Sequence, residues 1–283
     1  MDSRHKKISF RRNIPLIVKY IILSITLIIV LIPIIMIING ALKTRGEFLA
    51  HPYSLPIPPR WENFIEILKM NSFWRLVLNS FLVTSATTIG TVFICSMAAF
   101  ATARIRFRGK NFVFNFLTLG LMFPVTIAIL PVYLVVRQIG LIDNLWGVIL
   151  VHTSFQLSFG VIILNNFFKS IPSEIQDASH IDGCSYFGFY WHILLRLSRP
   201  ALASVAAIAA VFSWNDLMVP LVMLNSENLW TLPLGTMQFQ GQYGTNWAMV
   251  GAFVTLSTIP AVILYLFIQR NLISGLTAGS IKG

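Results

Sequence analysis

The chain has 283 residues, of which 56% are hydrophobic and only 11% charged, and its mean hydropathy is +0.75. Soluble domains carry about 25% charged residues, so this composition excludes an ordinary soluble domain and places the chain in a bilayer. The net charge of +11 does not point to nucleic acid, because Lys and Arg fall in short clusters at the ends of apolar runs and not along one face.

Six apolar runs, at residues 14–39, 76–103, 112–136, 146–168, 200–224 and 247–269, reach the ~20 residues that cross a hydrocarbon core. The basic start MDSRHKKISFRRN, residues 1–13, resembles a signal peptide. The apolar run behind it is too long for a signal core and has no small-residue cleavage site after it, so the first span is expected to stay. Residues 14–271 then form one transmembrane domain, followed by a tail at 272–283. Arg4, Lys6, Lys7, Arg11 and Arg12 precede the first span, and Arg104, Arg106, Arg108 and Lys110 follow the second. The loop between spans five and six has no Lys or Arg, which puts both termini in the cytoplasm. Lys43, Arg45, Arg60, Lys69 and Arg75 after span one weaken the contrast, although long loops count less. Trp74, Trp146, Trp230 and Trp247 then fall near the outer interface.

After span one, GEFLAHPYSLPIPPRWENF reads as an external connector, followed by a helical pattern in Phe64, Ile67, Leu68 and Phe73. In span three Pro124 and Pro131 lie about two turns apart and would bend the helix toward one side. A kinked pore helix and ordinary proline tolerance both fit; span six has Pro260. Polar groups within spans are few: His152, Thr153, Ser154 and Gln156 in span four, and Ser213 to Asp216 (SWND) in span five. A carboxylate at the bilayer centre costs ~2.5–3.5 kcal/mol on insertion scales, so Asp216 is expected to face protein or water. It is either a solute contact or packing polarity between helices. Gln156, Asn215 and Asp216 are the substrate-path candidates.

No motif for chemistry is found. Gly109-Lys110 lacks the spacing and the Ser/Thr of a phosphate loop, and no HExxH, CxxC or paired-His spacing supports a metal. Cys95 and Cys184 are too few for a disulfide framework and read as free thiols. The chain is therefore expected to be non-catalytic and to bind no cofactor or metal itself. A nucleotide that drove it would be bound by another chain.

The segment 170–200 is polar where another span would have fitted. Ser173 with Gln176 forms a plausible capping box for a helix over 174–182, and Gly183 is placed to stop it in a left-handed turn. Ile175, Ala178 and Ile181 lie near one face, with Asp177 and Asp182 as the acids. Ser185 caps a second helix in which Tyr186, Tyr190, Ile193 and Leu197 recur at helical spacing, and Pro200 breaks it before span five. The expected fold is an all-α integral membrane protein, with six transmembrane helices and a cytoplasmic helix-turn-helix between the fourth and fifth.

SEIQDASHIDG followed by SRPAL resembles the EAA loop of permease subunits of binding-protein-dependent ABC importers, carbohydrate branch, close to the second maltose-type permease subunit. WENF (Trp61 to Phe64), LNS (Leu78 to Ser80), Ala98 to Lys110, SWND and the terminal LTAGSIKG (Leu276 to Gly283) are similar to pieces of that family in the same order, so the resemblance covers nearly the full chain. It implies that Asp177, Ala178, Ser179, Ile181, Asp182 and Gly183 couple to an ATP-hydrolysing subunit, Asp177 standing where the family has glutamate and Ser179 where it has the second alanine. His180 replaces the usual arginine and Arg196 the usual proline; the latter is expected to straighten the second helix. By the same resemblance the tail reaches into the interface between two ATPase subunits.

The resemblance thus implies half of a translocation pore for a sugar or oligosaccharide. The implied partners are a second permease, two ATP-binding subunits that carry ATP and Mg, and an external solute-binding protein. A secondary transporter driven by an ion gradient is the competing class, but it would need inverted repeats and paired intramembrane acids, and only Asp216 is found. A membrane-embedded enzyme would need catalytic residues clustered in the spans. A polyol or glycerophosphodiester remains an alternative solute.

Overall fold

The computed structural model describes residues 3–241 and 244–278. The described chain is mostly helical and falls into two compact units, residues 1–69 with 239–256 and residues 70–238 with 257–283. Among the described residues four helices are long and apolar enough to cross a membrane, and two bent helix pairs raise the number to six if each pair is one span.

The first unit holds α1 (Ser3–Ala41), α2 (Arg45–Ala50), α3 (Glu62–Lys69), a short antiparallel hairpin of Gln240–Gly241 with Gly244–Thr245, and the first turns of α12 (Trp247–Ala278). The aliphatic side chains of α1 from Val18 to Ile38 are exposed around the whole helix, as lipid contact requires. Its C-terminal carbonyls are closed by the WENF segment: Asn63 Nδ2 donates to the carbonyls of Ala41 and Lys43, at 2.7 and 2.9 Å. Lys43, counted above as a loop charge, is instead buried, its ammonium held by the carbonyls of His51 and Pro52 at 2.9 Å each. Thr44 and Glu47 form a capping box on α2, and these Thr44 bonds hold the Glu47 carboxyl below the usual carboxylate range. The expected helix through Phe64, Ile67, Leu68 and Phe73 is split: α3 ends at Lys69, and Phe73 belongs to the next helix.

The second unit is built on α4 (Asn71–Arg104) and α7 (Leu145–Ser170). A Cβ on Gly90 would touch Thr153, one on Gly160 would touch Cys95, and Asn165 Nδ2 donates to Thr102 Oγ1 at 2.8 Å, so the two helices run parallel in near-constant register. α10 (Arg199–Asn215) crosses them in the opposite sense, because Val205 lies at Gly160 while Ser213 lies at His152. The ends Arg104, Ser170 and Arg199 therefore share one face of this unit. There a core forms from Cys95, Ala99, Phe100, Val161, Leu164 and Phe168 of α4 and α7 with residues of the following loop and of α10. At the other end Val83, Val148 and Val151 pack with Val136, Val219 and Met223. The LNS motif works at that end: Asn79 Nδ2 donates to the carbonyls of Asn228 and Trp230, and Ser80 Oγ accepts from the Leu232 amide at 2.7 Å.

Two runs expected to be continuous are broken. Residues 112–136 split into α5 (Lys110–Thr118) with a 3-10 turn (Leu119–Met122), and α6 (Val125–Gln138), at an angle of 111°. The pair of matched proline bends expected above does not occur. Phe123 precedes Pro124, is driven out of the helical region to φ −104° and ψ 108°, and ends the first piece, while Pro131 sits inside the second. Residues 200–224 split into α10 and α11 (Met218–Met223) at Asp216 and Leu217. In the loop before α7, Asp143 takes a left-handed backbone (φ 56°) and accepts from the amides of Asn225 and Ser226 and from the Ser226 hydroxyl. The Ser226 bonds hold its carboxyl below the usual carboxylate range.

Gly160 is where three helices meet. A Cβ there would lie 2.5 Å from Cys95 Sγ and 3.2 Å from Val205 Cγ1. Overpacking of this kind costs ~1–3 kcal/mol. Gly160→Ala is therefore expected to lower the unfolding temperature of the detergent-solubilised chain, and Cys95→Ala added to it to restore part of the loss. Equal unfolding temperatures for the native chain and Gly160→Ala would show that the contact is slack.

Candidate functional site

Two places in the second unit carry the residues singled out from the sequence. The first is the loop after α7. Pro172 is the N-cap of α8 (Ser173–Ile181) and gives no side-chain bond, so the expected Ser173 and Gln176 box is not formed; Ser173 is already the first helical residue. Gly183 takes the expected left-handed conformation at φ +83°, and Ser185 caps the next helix by accepting from the Gly188 amide at 3.1 Å. The turn is further held by His180, whose Nδ1 meets the Cys184 carbonyl at 2.8 Å while its ring stands edge-on to Tyr186, 4.6 Å between centroids. Nothing in the local sequence pattern around His180 signals this staple.

The second helix, α9 (Tyr186–Leu197), is regular only at its ends; Phe189–Leu194 forms a π-helical turn. The extra residue shifts the register. Phe189, Tyr190 and Leu194 are buried in the core against Phe100 and Phe168, whereas Tyr186 and Leu197, expected on the same face, are about half exposed. Tyr190 OH pairs with Ser96 Oγ of α4 at 2.8 Å, across 94 residues of sequence. A π turn is a common feature of functional sites. α9 meets α10 at 78°, with the break at Ser198 and Pro200 in the first turn of α10.

On α8 only Ser179 is buried, its hydroxyl on the Gln176 carbonyl. Asp177, Ala178, Asp182 and Gly183 are exposed, and Ile181 is 87% exposed. With Ile175 at 37%, the apolar side of this short helix is open. What holds α8 in place lies at its root: the guanidinium of Arg104, from the end of α4, donates to the carbonyls of Phe168 and Ile171 where α7 ends. The Phe168 carbonyl also accepts from the Ile171 amide at 3.3 Å, so the guanidinium adds to the cap that closes the end of α7.

The second place is the break after α10. His152, fully buried on α7, makes Nε2···Asp216 Oδ2 at 2.9 Å and Nδ1···Ser213 Oγ at 3.1 Å. With the ring neutral, Nε2–H donates to the carboxylate and the Ser213 hydroxyl donates to Nδ1. The same Asp216 oxygen accepts from the Val219 amide at 3.0 Å and so starts α11. One carboxylate thus ends one helix, begins another and ties both to α7. Asn215, next to it, is exposed and donates from Nδ2 to the Val211 carbonyl at 2.8 Å. Gln156, one turn from His152, is buried. His152 was visible in the sequence as a polar residue in an apolar run, but its partners lie 61 and 64 positions away. No group of three or more His, Cys, Asp or Glu able to hold a metal is found among the described residues. The side chains of residues 1–13 and of the tail 276–283, which carry the expected N-terminal charges and the expected ATPase contact, are outside the described residues.

Residues 90–277 match the family described as binding-protein-dependent transport system inner membrane component. In sequence the chain is 32% identical to the "Probable ABC transporter permease protein YurM" of Bacillus subtilis, covering 93% of this chain and 88% of YurM. It is 30% identical to the arabinooligosaccharides transport system permease protein AraQ of Bacillus subtilis (89% and 91%). It is likewise 30% identical to the diacetylchitobiose uptake system permease protein DasC of Streptomyces coelicolor (89% and 91%). In fold it is similar to a chain of a bacterial ABC transporter involved in the import of the acidic polysaccharide alginate, with a TM-score of 0.79 at 22% identity over 95% of this chain and 98% of that one.

Hydrogen bonds between membrane helices contribute ~0.6 kcal/mol on average and up to ~1.7. The cycle of His152→Phe, Asp216→Asn and the double variant is expected to give a coupling of ~1 kcal/mol or more in unfolding of the solubilised chain. Additive losses would mean that the two side chains do not depend on each other.

Proposed function

The chain belongs to the family of binding-protein-dependent transport system inner membrane components, and we propose that it is one of two permease subunits of an ATP-driven importer for a sugar or oligosaccharide. The observation that carries this reading is α8: a short helix with an open apolar side and two exposed acids, rooted by Arg104 on the ends of two membrane helices. The oligosaccharide assignment rests on relatives such as AraQ and DasC, whose names state oligosaccharide transport. Family membership supports the permease reading over the secondary transporter and the membrane-embedded enzyme.

We read six crossings with both termini in the cytoplasm, and the helix directions within the second unit support the part of that reading that they cover. α4 and α7 run parallel, so the chain between them makes a single return crossing, which the bent pair α5 and α6 supplies. α10 runs back against α7, so the loop 170–200 and the basic stretch 104–110 share one side. The positive-inside rule makes that side cytoplasmic. The domain organisation we propose with it is a basic N-terminus at 1–13, a transmembrane domain at 14–271 and a cytoplasmic tail at 272–283.

Two ATP-binding subunits, carrying ATP and Mg, supply the chemistry, and this chain's part is mechanical. Asp177, Ala178, Ser179, Ile181, Asp182 and Gly183 form the contact, with Ile181 and Ala178 packing on the ATPase and Ser179 holding the helix from beneath. When the ATPases close, α8 moves. The His180 staple and the turn at Gly183 pass the displacement to α9, whose Phe189, Tyr190 and Leu194 are embedded between α4, α7 and α10. Such packed cores shift as rigid bodies, which opens the pore shared with the second permease to one side or the other. Asn215 and Asp216 lie at the break in span five, and Gln156 is buried on α7 one turn from His152. Asn215 offers an exposed amide to solute hydroxyls, and Asp216, engaged by His152, shapes the break. An external solute-binding protein delivers the solute.

Gly183→Val tests the coupling role, since a β-branched residue is a backbone outlier at positive φ, whereas Asn tolerates it. In complexes purified from the native membrane, Gly183→Val is expected to insert normally and to lose at least tenfold of the co-purifying ATP-binding subunit, with Gly183→Asn retaining most of it. Full recovery with Gly183→Val at matched expression would return the loop to a simple connection.

A further inference from the structure

The basic stretch RIRFRGK does more than mark a side of the membrane. We infer that residues 104–110, with Lys169 and the exposed ring pair of α5, bind the headgroup and acyl chains of an anionic phospholipid. Arg104, Arg106, Arg108, Lys110 and Lys169 gather at one end of the second unit, with Lys169, Arg106 and Arg104 close enough to Lys110 to repel its charge. Among the described residues no carboxylate pairs with any of them. Their positions are set by neutral groups instead: Arg104 on the carbonyls of Phe168 and Ile171, Lys110 Nζ on the Ala103 carbonyl at 3.1 Å, and the Lys169 ammonium 5.3 Å from the centre of the Phe114 ring. Arg106 and Arg108 are exposed.

Concentrated like charge of this kind is destabilising unless an anion offsets it. The surface beside the cations indicates which anion. On α5, Phe112 is 74% and Phe116 64% exposed, one helical turn apart, with near-parallel rings 6.3 Å between centroids. Val113 beside the rings and Leu119 beyond them are exposed as well. A free phosphate has no use for such a ridge; a phosphodiester with two acyl chains matches both halves, with its headgroup among the arginines and its chains along the rings. Attraction of basic clusters to anionic headgroups grows with each added Lys or Arg.

The test is native mass spectrometry of the complex purified from its own membrane in mild detergent, given phosphatidylglycerol and phosphatidylcholine of identical acyl chains in equal amounts. The native chain is expected to retain phosphatidylglycerol on the order of tenfold over phosphatidylcholine. Arg106→Gln with Arg108→Gln should bring the ratio to about twofold or less. Phe112→Ala with Phe116→Ala should reduce both adducts alike, and Arg137→Gln, an exposed cation elsewhere, should change nothing. All of these side chains are largely exposed, and unchanged unfolding temperatures check that the variants fold. A preference that survives the double arginine change overturns the assignment. So does millimolar inorganic phosphate displacing the lipid, which marks a phosphate site, or loss of the adduct whenever an ATP-binding subunit is present, which marks a protein contact.

Discussion

The contact between the Arg104 guanidinium and the carbonyls of Phe168 and Ile171 decides how the rest of the second unit can work. A helix leaves its last carbonyls without partners, and in a bilayer or at its edge no water is assured to take them. Here the partner is a charge at the end of another helix, so the termini of α4 and α7 are closed by one side chain. The chain departs for α8 from that point. Removing Arg104 is expected to loosen the end of α7 from which the chain departs for α8.

A second polar knot, at the other end of α10, obeys the same logic. Asp216 in the path of a span is costly unless engaged, and it is engaged twice, by the His152 ring and by the Val219 amide. The carboxylate makes the break between α10 and α11, and the break leaves Asn215 at the surface. Buried polarity at this site shapes the backbone and leaves the Asn215 amide exposed, donating to the Val211 carbonyl. The two knots differ in what surrounds them: Arg104 sits beside a patch of uncompensated charge, whereas His152 and Asp216 satisfy each other.

What the sequence disclosed was local. The left-handed turn needs only Gly183, and the cap needs only Ser185 three residues before an amide, so both were legible and both are present. The same rule failed at Ser173, because Pro172 already occupies the cap and places Ser173 inside the helix. Periodicity failed in α9 for a different reason. A π turn inserts one residue when burial of Phe189, Tyr190 and Leu194 outweighs regular hydrogen bonding, and that balance is set by α4 and α7, far away in sequence. Lys43 and Arg104 were counted as topology charges, which a composition-based count cannot separate from charges that cap carbonyls. The His152 and Asp216 pair was half visible, as two polar residues in apolar runs with nothing to say that they meet.

Coupling through this loop requires α8 to move as one body with the membrane helices, and the most direct measurement is a distance. Spin labels at Ile181→Cys on α8 and Asn111→Cys on α5, in a chain carrying Cys95→Ala and Cys184→Ser, report by pulsed electron resonance how tightly the loop is held. With Arg104 present the distance distribution should be narrow, and Arg104→Met should at least double its width while the chain remains inserted. An equally narrow distribution in Arg104→Met would contradict the account, because the loop would then be held by something other than the clamp at its root.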